Sequence, residues 1–83
     1  MQWFLYVLKC GDGTLYTGVT TNMQRRLKEH NTSSRGAKYT KTRRPVAIVY
    51  CVSYKDRSAA QKAEYKFKQL TRKQKEKIVD EAS

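Results

Sequence analysis

Acidic side chains are scarce in this chain: seven Asp and Glu stand against eighteen Lys and Arg, a formal charge of +11 over eighty-three residues. An imbalance of that size implies a polyanionic partner, most often nucleic acid and less often an acidic membrane surface. A merely solvated lysine-rich surface accounts for it less well. Cysteine and histidine are nearly missing. Cys10 and Cys51 form no CxxC pair and His30 is the single histidine, so neither a structural zinc site nor a disulfide framework is supported. Reduced thiols in a cytoplasmic protein are the expectation. Long apolar runs are absent too: the longest, Trp3 to Leu8, is far too short to span a bilayer, and no charged segment precedes it as a signal peptide requires. The chain reads as soluble and unprocessed, with no membrane partner. It has no internal repeat, no low-complexity tract and no coiled-coil seam, and it is expected to be a monomer. Its length leaves room for one modest core, so a single domain, residues 1–83, must carry any function.

What is present begins with two strands. Residues 2–9 are aromatic and branched with little polar alternation, which suits a strand covered on both faces and central in a sheet. Residues 14–19 form a second strand, and Gly11-Asp12-Gly13 between them is a hairpin signal for a three-residue loop with glycine in the left-handed position. Cys10 then pairs with Thr14, Leu8 faces Tyr16 and Tyr6 faces Gly18, which puts both tyrosines on one face. Gly18 leaves open space over the Tyr6 ring, a physical reason for glycine where it otherwise weakens a strand.

Three helix starts match the capping-box pattern: Thr21-x-x-Gln24, Ser58-x-x-Gln61 and Thr71-x-x-Gln74. They predict helices over about 22–31, 59–70 and 72–81, with a loop at 32–44 and a third strand at 45–54 whose first residue, Pro45, removes no interior ladder bond. The expected fold is α+β: a small three-stranded antiparallel sheet, in β-β-α-β-α-α order, flanked by helices.

Several side chains are candidates for chemistry. Arg26 and His30 lie four apart near the Met23/Leu27 stripe of the first helix and point toward the sheet edge. Taken alone, His30 reads more readily as a half-buried core histidine with a backbone partner, and Arg26 as one surface arginine among many. Glu64 is the only acid of the second helix, at the border of the apolar face formed by Ala59, Ala60, Ala63, Phe67 and Leu70. It suits an ion pair with a neighbouring lysine and equally a hard divalent cation. The segment 35–44 holds Arg35, Lys38, Lys41, Arg43 and Arg44 with Tyr39 interleaved and no acid, which suits phosphate contacts with base stacking better than a flexible solvated loop.

Together, Phe4-Leu5-Tyr6, Tyr16-Thr17-Gly18, Arg26 ten residues after Tyr16, His30 four later and Glu64 on a later helix resemble the GIY-YIG nuclease domain. "GAKYT", "RRP" and "AEYKFKQL" resemble its small stand-alone bacterial branch, and the likeness covers nearly the whole chain. Phe4 stands where the first motif's namesake has glycine, Thr17 where the second has isoleucine, and no asparagine follows Asn31, although many active relatives have one after the glutamate.

The resemblance implies a metal-dependent endonuclease that hydrolyses phosphodiester bonds in nucleic acid, DNA favoured over RNA, with a place in DNA repair or recombination. Glu64 would hold one Mg²⁺ or Mn²⁺ with its waters, and Arg26 would neutralise charge on the phosphate. Tyr16, or failing it Tyr6, would activate the attacking water, with His30 assisting that phenol and the positive field favouring a phenolate. The alternatives are a non-catalytic nucleic-acid-binding module that retains the fold, and an interaction protein for an acidic partner or ribosomal RNA.

Overall fold

A computed structural model of the protein describes residues 2–32 and 38–82. Its elements run β1 (Trp3–Lys9), β2 (Leu15–Thr20), α1 (Met23–Thr32), α2 (Lys38–Lys41), β3 (Ala47–Tyr54), α3 (Arg57–Lys68) and α4 (Arg72–Ala82). The three strands form one antiparallel sheet in the order β2-β1-β3. The α+β architecture expected from the sequence is therefore present, with one short added helix, α2, inside the segment read as a loop.

The central place of β1 follows from its composition. Four consecutive residues, Leu5, Tyr6, Val7 and Leu8, are buried, which requires cover on both faces of the strand. Tyr6, Leu8 and Cys10 point to one face, where Tyr16, Met23 and Leu27 pack under α1. Leu5 alternates to the other, where Tyr50 and Tyr54 of β3 meet Ala63 and Phe67 of α3 and Leu70 just past its end. The Tyr50 and Phe67 rings stack there at 6.1 Å. The sheet thus separates two helical layers, and its free edge on one side is β2.

The hairpin adopts the expected register. Tyr6 pairs with Gly18 and Leu8 with Tyr16, and the Cys10 amide donates to Thr14 O at 2.8 Å. Gly13 takes φ +85°, the left-handed conformation that the three-residue loop demands. The Asp12 carboxylate completes the turn by accepting from the Thr14 amide at 3.1 Å and its hydroxyl at 2.6 Å. These bonds to Thr14 are the main reason its pKa lies below the usual carboxylate range.

Two of the three helix caps differ from expectation. Only Thr71 and Gln74 form the reciprocal box: each backbone amide donates to the other's side chain, at 3.0 and 3.2 Å. At α3 the cap is Asp56, whose carboxylate accepts the Ala59 amide at 2.8 Å, so the helix starts two residues before the expected Ala59. An ionised oxygen at a helix N-terminus binds amides more strongly than a serine hydroxyl, and Ser58 loses the competition. At α1 the Asn22 side chain accepts from the Arg25 amide at 3.0 Å, while Thr20 rather than Thr21 turns back on the entry, its hydroxyl accepting from the Asn22 amide at 3.2 Å. β3 starts at Ala47, after Asn31 has bridged both backbone groups of Val46.

Candidate active site

Gly18 is the opening in the sheet through which the site is built. A Cβ placed on it would lie 2.6 Å from Tyr6 Cζ, closer than real Cβ atoms approach, and a tight 3.1 Å from Cε2. Without that carbon, the Tyr6 ring leans from the central strand across β2. Its hydroxyl then meets α1, where Tyr6 Oη is 2.9 Å from His30 Nε2. The other ring nitrogen, Nδ1, is 2.9 Å from Thr40 Oγ1 on α2. His30 and Thr40 have no exposed surface and Tyr6 has 2 %, so this chain of hydrogen bonds is sealed from water.

Burial sets the protonation states. Desolvation drives the His30 pKa down to about 4; the Arg26 and Arg44 charges push the same way, and Glu29 opposes them. The imidazole is neutral at pH 7. Burial likewise raises the Tyr6 phenol above its ordinary value, against a lowering hydrogen bond from Arg26. Of the two candidate phenols, it is Tyr6 that the imidazole bonds, at 2.9 Å, while its ring packs against Tyr16 with 5.2 Å between centroids. The cause is Gly18, which brings the Tyr6 hydroxyl to the helix first.

Tyr16 lies at the free edge, half-buried. Tyr39 of α2 stacks on it at 5.8 Å with 28° between the rings, and the Arg43 guanidinium covers Tyr39 at 4.0 Å from the centroid. Arg43 Nε in turn lies 3.1 Å from Asp12 Oδ2, an ion pair too misaligned to be a hydrogen bond. Beside this stack a groove of about 260 Å³ is lined by Leu15, Tyr16, Thr17, Tyr39, Lys68 and Lys75. Glu64 lies on α3 one turn before Lys68, next to the groove and not among the residues that line it. Its side chain is 23 % exposed, pairs with Lys68 Nζ at 3.5 Å, and is near enough for its charge to raise the Tyr6 pKa. On α1, Arg26 donates to Glu29 at 3.0 Å as well as to Tyr6. Tyr6, Tyr16, Arg26, His30 and Glu64 thus come from four elements to one sheet edge.

With that arrangement described, comparison with known proteins is decisive: the model of the GIY-YIG catalytic domain matches residues 2–77. This chain belongs to the GIY-YIG family. The GIY-YIG relatives it resembles are small single-domain proteins. UPF0213 protein DP2720 of Desulfotalea psychrophila is 54% identical over 77 residues, 93% of this chain and 70% of that protein. Two solution structures share the GIY-YIG fold of this chain, each aligned over 96% of it and 84% of the other chain. They are UPF0213 protein BH0048 from Bacillus halodurans, at 41% identity and TM-score 0.62, and protein EF2693 from E. faecalis, at 46% and 0.66.

The basic segment of this GIY-YIG domain divides in two. Lys38, Lys41 and Tyr39 are exposed beside the groove. Arg43 and Arg44 are partly engaged within the fold, Arg43 by Tyr39 and Asp12, and Arg44 by an Nε donation to His30 O at 2.7 Å. Arg35 lies outside the described residues. Lys75 and Thr40 did not stand out in the sequence, whereas the expected ion pair of Glu64 with a neighbouring lysine is formed with Lys68, four residues on. Among the described residues, no three His, Cys, Asp or Glu side chains cluster as a metal site, and no helix is long and apolar enough to cross a membrane.

Proposed function

We propose that this GIY-YIG domain is a divalent-metal-dependent endonuclease acting on nucleic acid, DNA in preference to RNA, as a cytoplasmic monomer in DNA repair or recombination. The observation that carries the reading is the meeting of Tyr6, Tyr16, Arg26, His30 and Glu64 at one edge, beside a groove walled by Tyr39, Lys68 and Lys75. A phosphodiester is the substrate this chemistry fits: cations for its charge, an aromatic ring for a base, and a carboxylate for a metal.

The donor chemistry at Glu64 fits one hard divalent cation. Its carboxylate is partly open to solvent and paired with a half-exposed lysine that water or a metal can displace. A single carboxylate suits an ion that keeps most of its waters. Bound there, Mg²⁺ or Mn²⁺ would polarise a phosphoryl oxygen as a Lewis acid.

The remaining work falls to the protein's own groups. Arg26, held between Tyr6 and Glu29, presents a planar fork of donors to the phosphate and neutralises charge as it builds. Tyr16 at the groove is the group that removes the proton from water, because Tyr6 is buried, neutral and bonded to His30. Tyr6 and His30 hold Arg26 and the adjoining wall in place. Lys38, Lys41, Arg43, Arg44, Lys68 and Lys75 take flanking phosphates, with Arg35 as a further contact, and Tyr39 stacks against a base.

A second reading, a nucleic-acid-binding module without catalysis, draws on the Arg26–Glu29 and Glu64–Lys68 pairs, which already occupy the two groups cleavage needs. Both readings entail binding that weakens steeply with salt, so affinity does not separate them. The deciding experiment is cleavage of labelled single-stranded, duplex, flapped and four-way DNA and of RNA, with Mg²⁺, with Mn²⁺ and with chelator, by wild type and Glu64→Ala. Cutting by the wild type alone and only with metal supports the endonuclease; equal cutting by both proteins rejects it.

A further inference from the structure

The hydroxyl of Thr40 has no part in the mechanism above, yet it is fully buried and bonded to the one histidine. An arginine only donates, so the Tyr6 oxygen accepts from Arg26 and the phenolic hydrogen must find an acceptor elsewhere. His30 Nε2, at 2.9 Å, is in place to accept it. A neutral imidazole whose Nε2 accepts carries its hydrogen on Nδ1, and Thr40 Oγ1 at 2.9 Å receives that hydrogen. The order of donors, from Arg26 to Tyr6 to His30 to Thr40, then gives each hydrogen donated along the chain an acceptor.

We infer that Thr40 is a positioning residue: by accepting from His30 Nδ1 it fixes the imidazole tautomer that orients the Tyr6 hydroxyl, and so holds Arg26 toward the phosphate. The inference rests on the proposed nuclease reading for its consequence in cleavage, but not for its consequence in the tautomer. Thr40 belongs to the same short helix as Tyr39, which stacks on Tyr16. Neighbouring residues of α2 therefore serve the two tyrosines separately, Tyr39 by direct contact and Thr40 through His30. Lys38 and Lys41 flank them, so the segment offered to phosphates is also the segment that sets the buried wall.

The test begins with ¹⁵N NMR of the His30 ring, which distinguishes the two neutral tautomers without any cleavage assay. Wild type is expected to show protonated Nδ1 and unprotonated Nε2; the reverse assignment overturns the inference, whatever the protein cuts. Thr40→Val, nearly isosteric but without an acceptor, should move the population toward protonated Nε2, and Thr40→Ser should restore the wild-type spectrum. In the Mg²⁺-dependent cleavage assay Thr40→Val should lower kcat about tenfold, the change that loss of one buried hydrogen bond corresponds to, with KM unchanged and activity recovered in Thr40→Ser. A folded Thr40→Val with the wild-type ring spectrum overturns the inference. Should that variant fail to fold, the wild-type assignment and Thr40→Ser still decide the matter. A shifted tautomer in a protein that cleaves nothing would uphold the role of Thr40 and reject the nuclease reading.

Discussion

The two walls of the site are built on opposite physical terms. One wall, Tyr6-His30-Thr40, has lost its water and is held by short hydrogen bonds among neutral groups. The other, Glu64-Lys68 with Lys75, is charged and half open to solvent. A buried hydrogen bond is costly to break because each partner is left unsatisfied, whereas an exposed ion pair contributes little. The first wall therefore keeps its geometry, and under the proposed function the second is the one that would exchange its internal partner for a metal ion or a phosphate.

Substitutions in the polar groups should separate the walls most sharply. Glu64→Ala and Arg26→Ala are each expected to abolish metal-dependent cleavage, a loss on the order of 10²–10³-fold or more, as when a charge-stabilising group is removed. Thermal unfolding of Glu64→Ala should stay within about 0.5 kcal/mol of wild type, since its ion pair is partly exposed. A large destabilisation of Glu64→Ala would mean that the charged wall is structural after all.

The buried wall should reveal itself through acid. The His30 pKa lies near 4 in the fold and near 6.5 in a free chain, so the unfolded state gains the proton first as the pH falls. Stability is full above about pH 6.5 and declines by about 3 kcal/mol between there and pH 4 on account of this residue. Denaturant titrations across that range, with His30→Gln as the comparison, measure it; an unchanged slope in the variant would show that some other group is responsible.

Gly18→Ala attacks the junction of the walls. Its methyl group would collide with the Tyr6 ring, and overpacking of this kind costs about 1–3 kcal/mol. The expected signature is lower stability together with loss of the Tyr6-to-His30 bond in NMR spectra. Lys68→Ala is the mildest case, with stability changed by less than about 0.5 kcal/mol and metal affinity raised by removal of the competing ammonium. Weaker metal binding in Lys68→Ala would argue that the lysine supports the site instead of competing for it.

The hairpin was legible in the sequence because strand alternation and a Gly-Asp-Gly turn leave few registers open, and the register in turn put Tyr6 and Tyr16 on one face. The three long helices were legible from their start signals, and the Thr71-Gln74 box holds at α4, but the caps of α1 and α3 were not legible. Asp56, Asn22 and Thr20 compete with Ser58 and Thr21 for the cap position, each taking a different first-turn amide, and that contest is settled by local geometry. The four residues of α2 are too few for any period to register, so the burial of Thr40 between exposed Tyr39 and Lys41 could not be foreseen. Nor could the choice of His30 for Tyr6 over Tyr16, because a shared face does not say which ring reaches across.

The tip of the hairpin carries more than its own turn. Gly11 donates its amide to Arg43 O at 2.7 Å, Asp12 pairs with the Arg43 side chain, and Arg72 of α4 donates to Gly13 O at 2.6 Å. Hairpin tips are ordinarily where a chain tolerates added residues. Here three consecutive residues moor the basic segment and the last helix to the sheet. A peptide tag or loop graft at this tip would loosen both at once, and with them the cover over Tyr16.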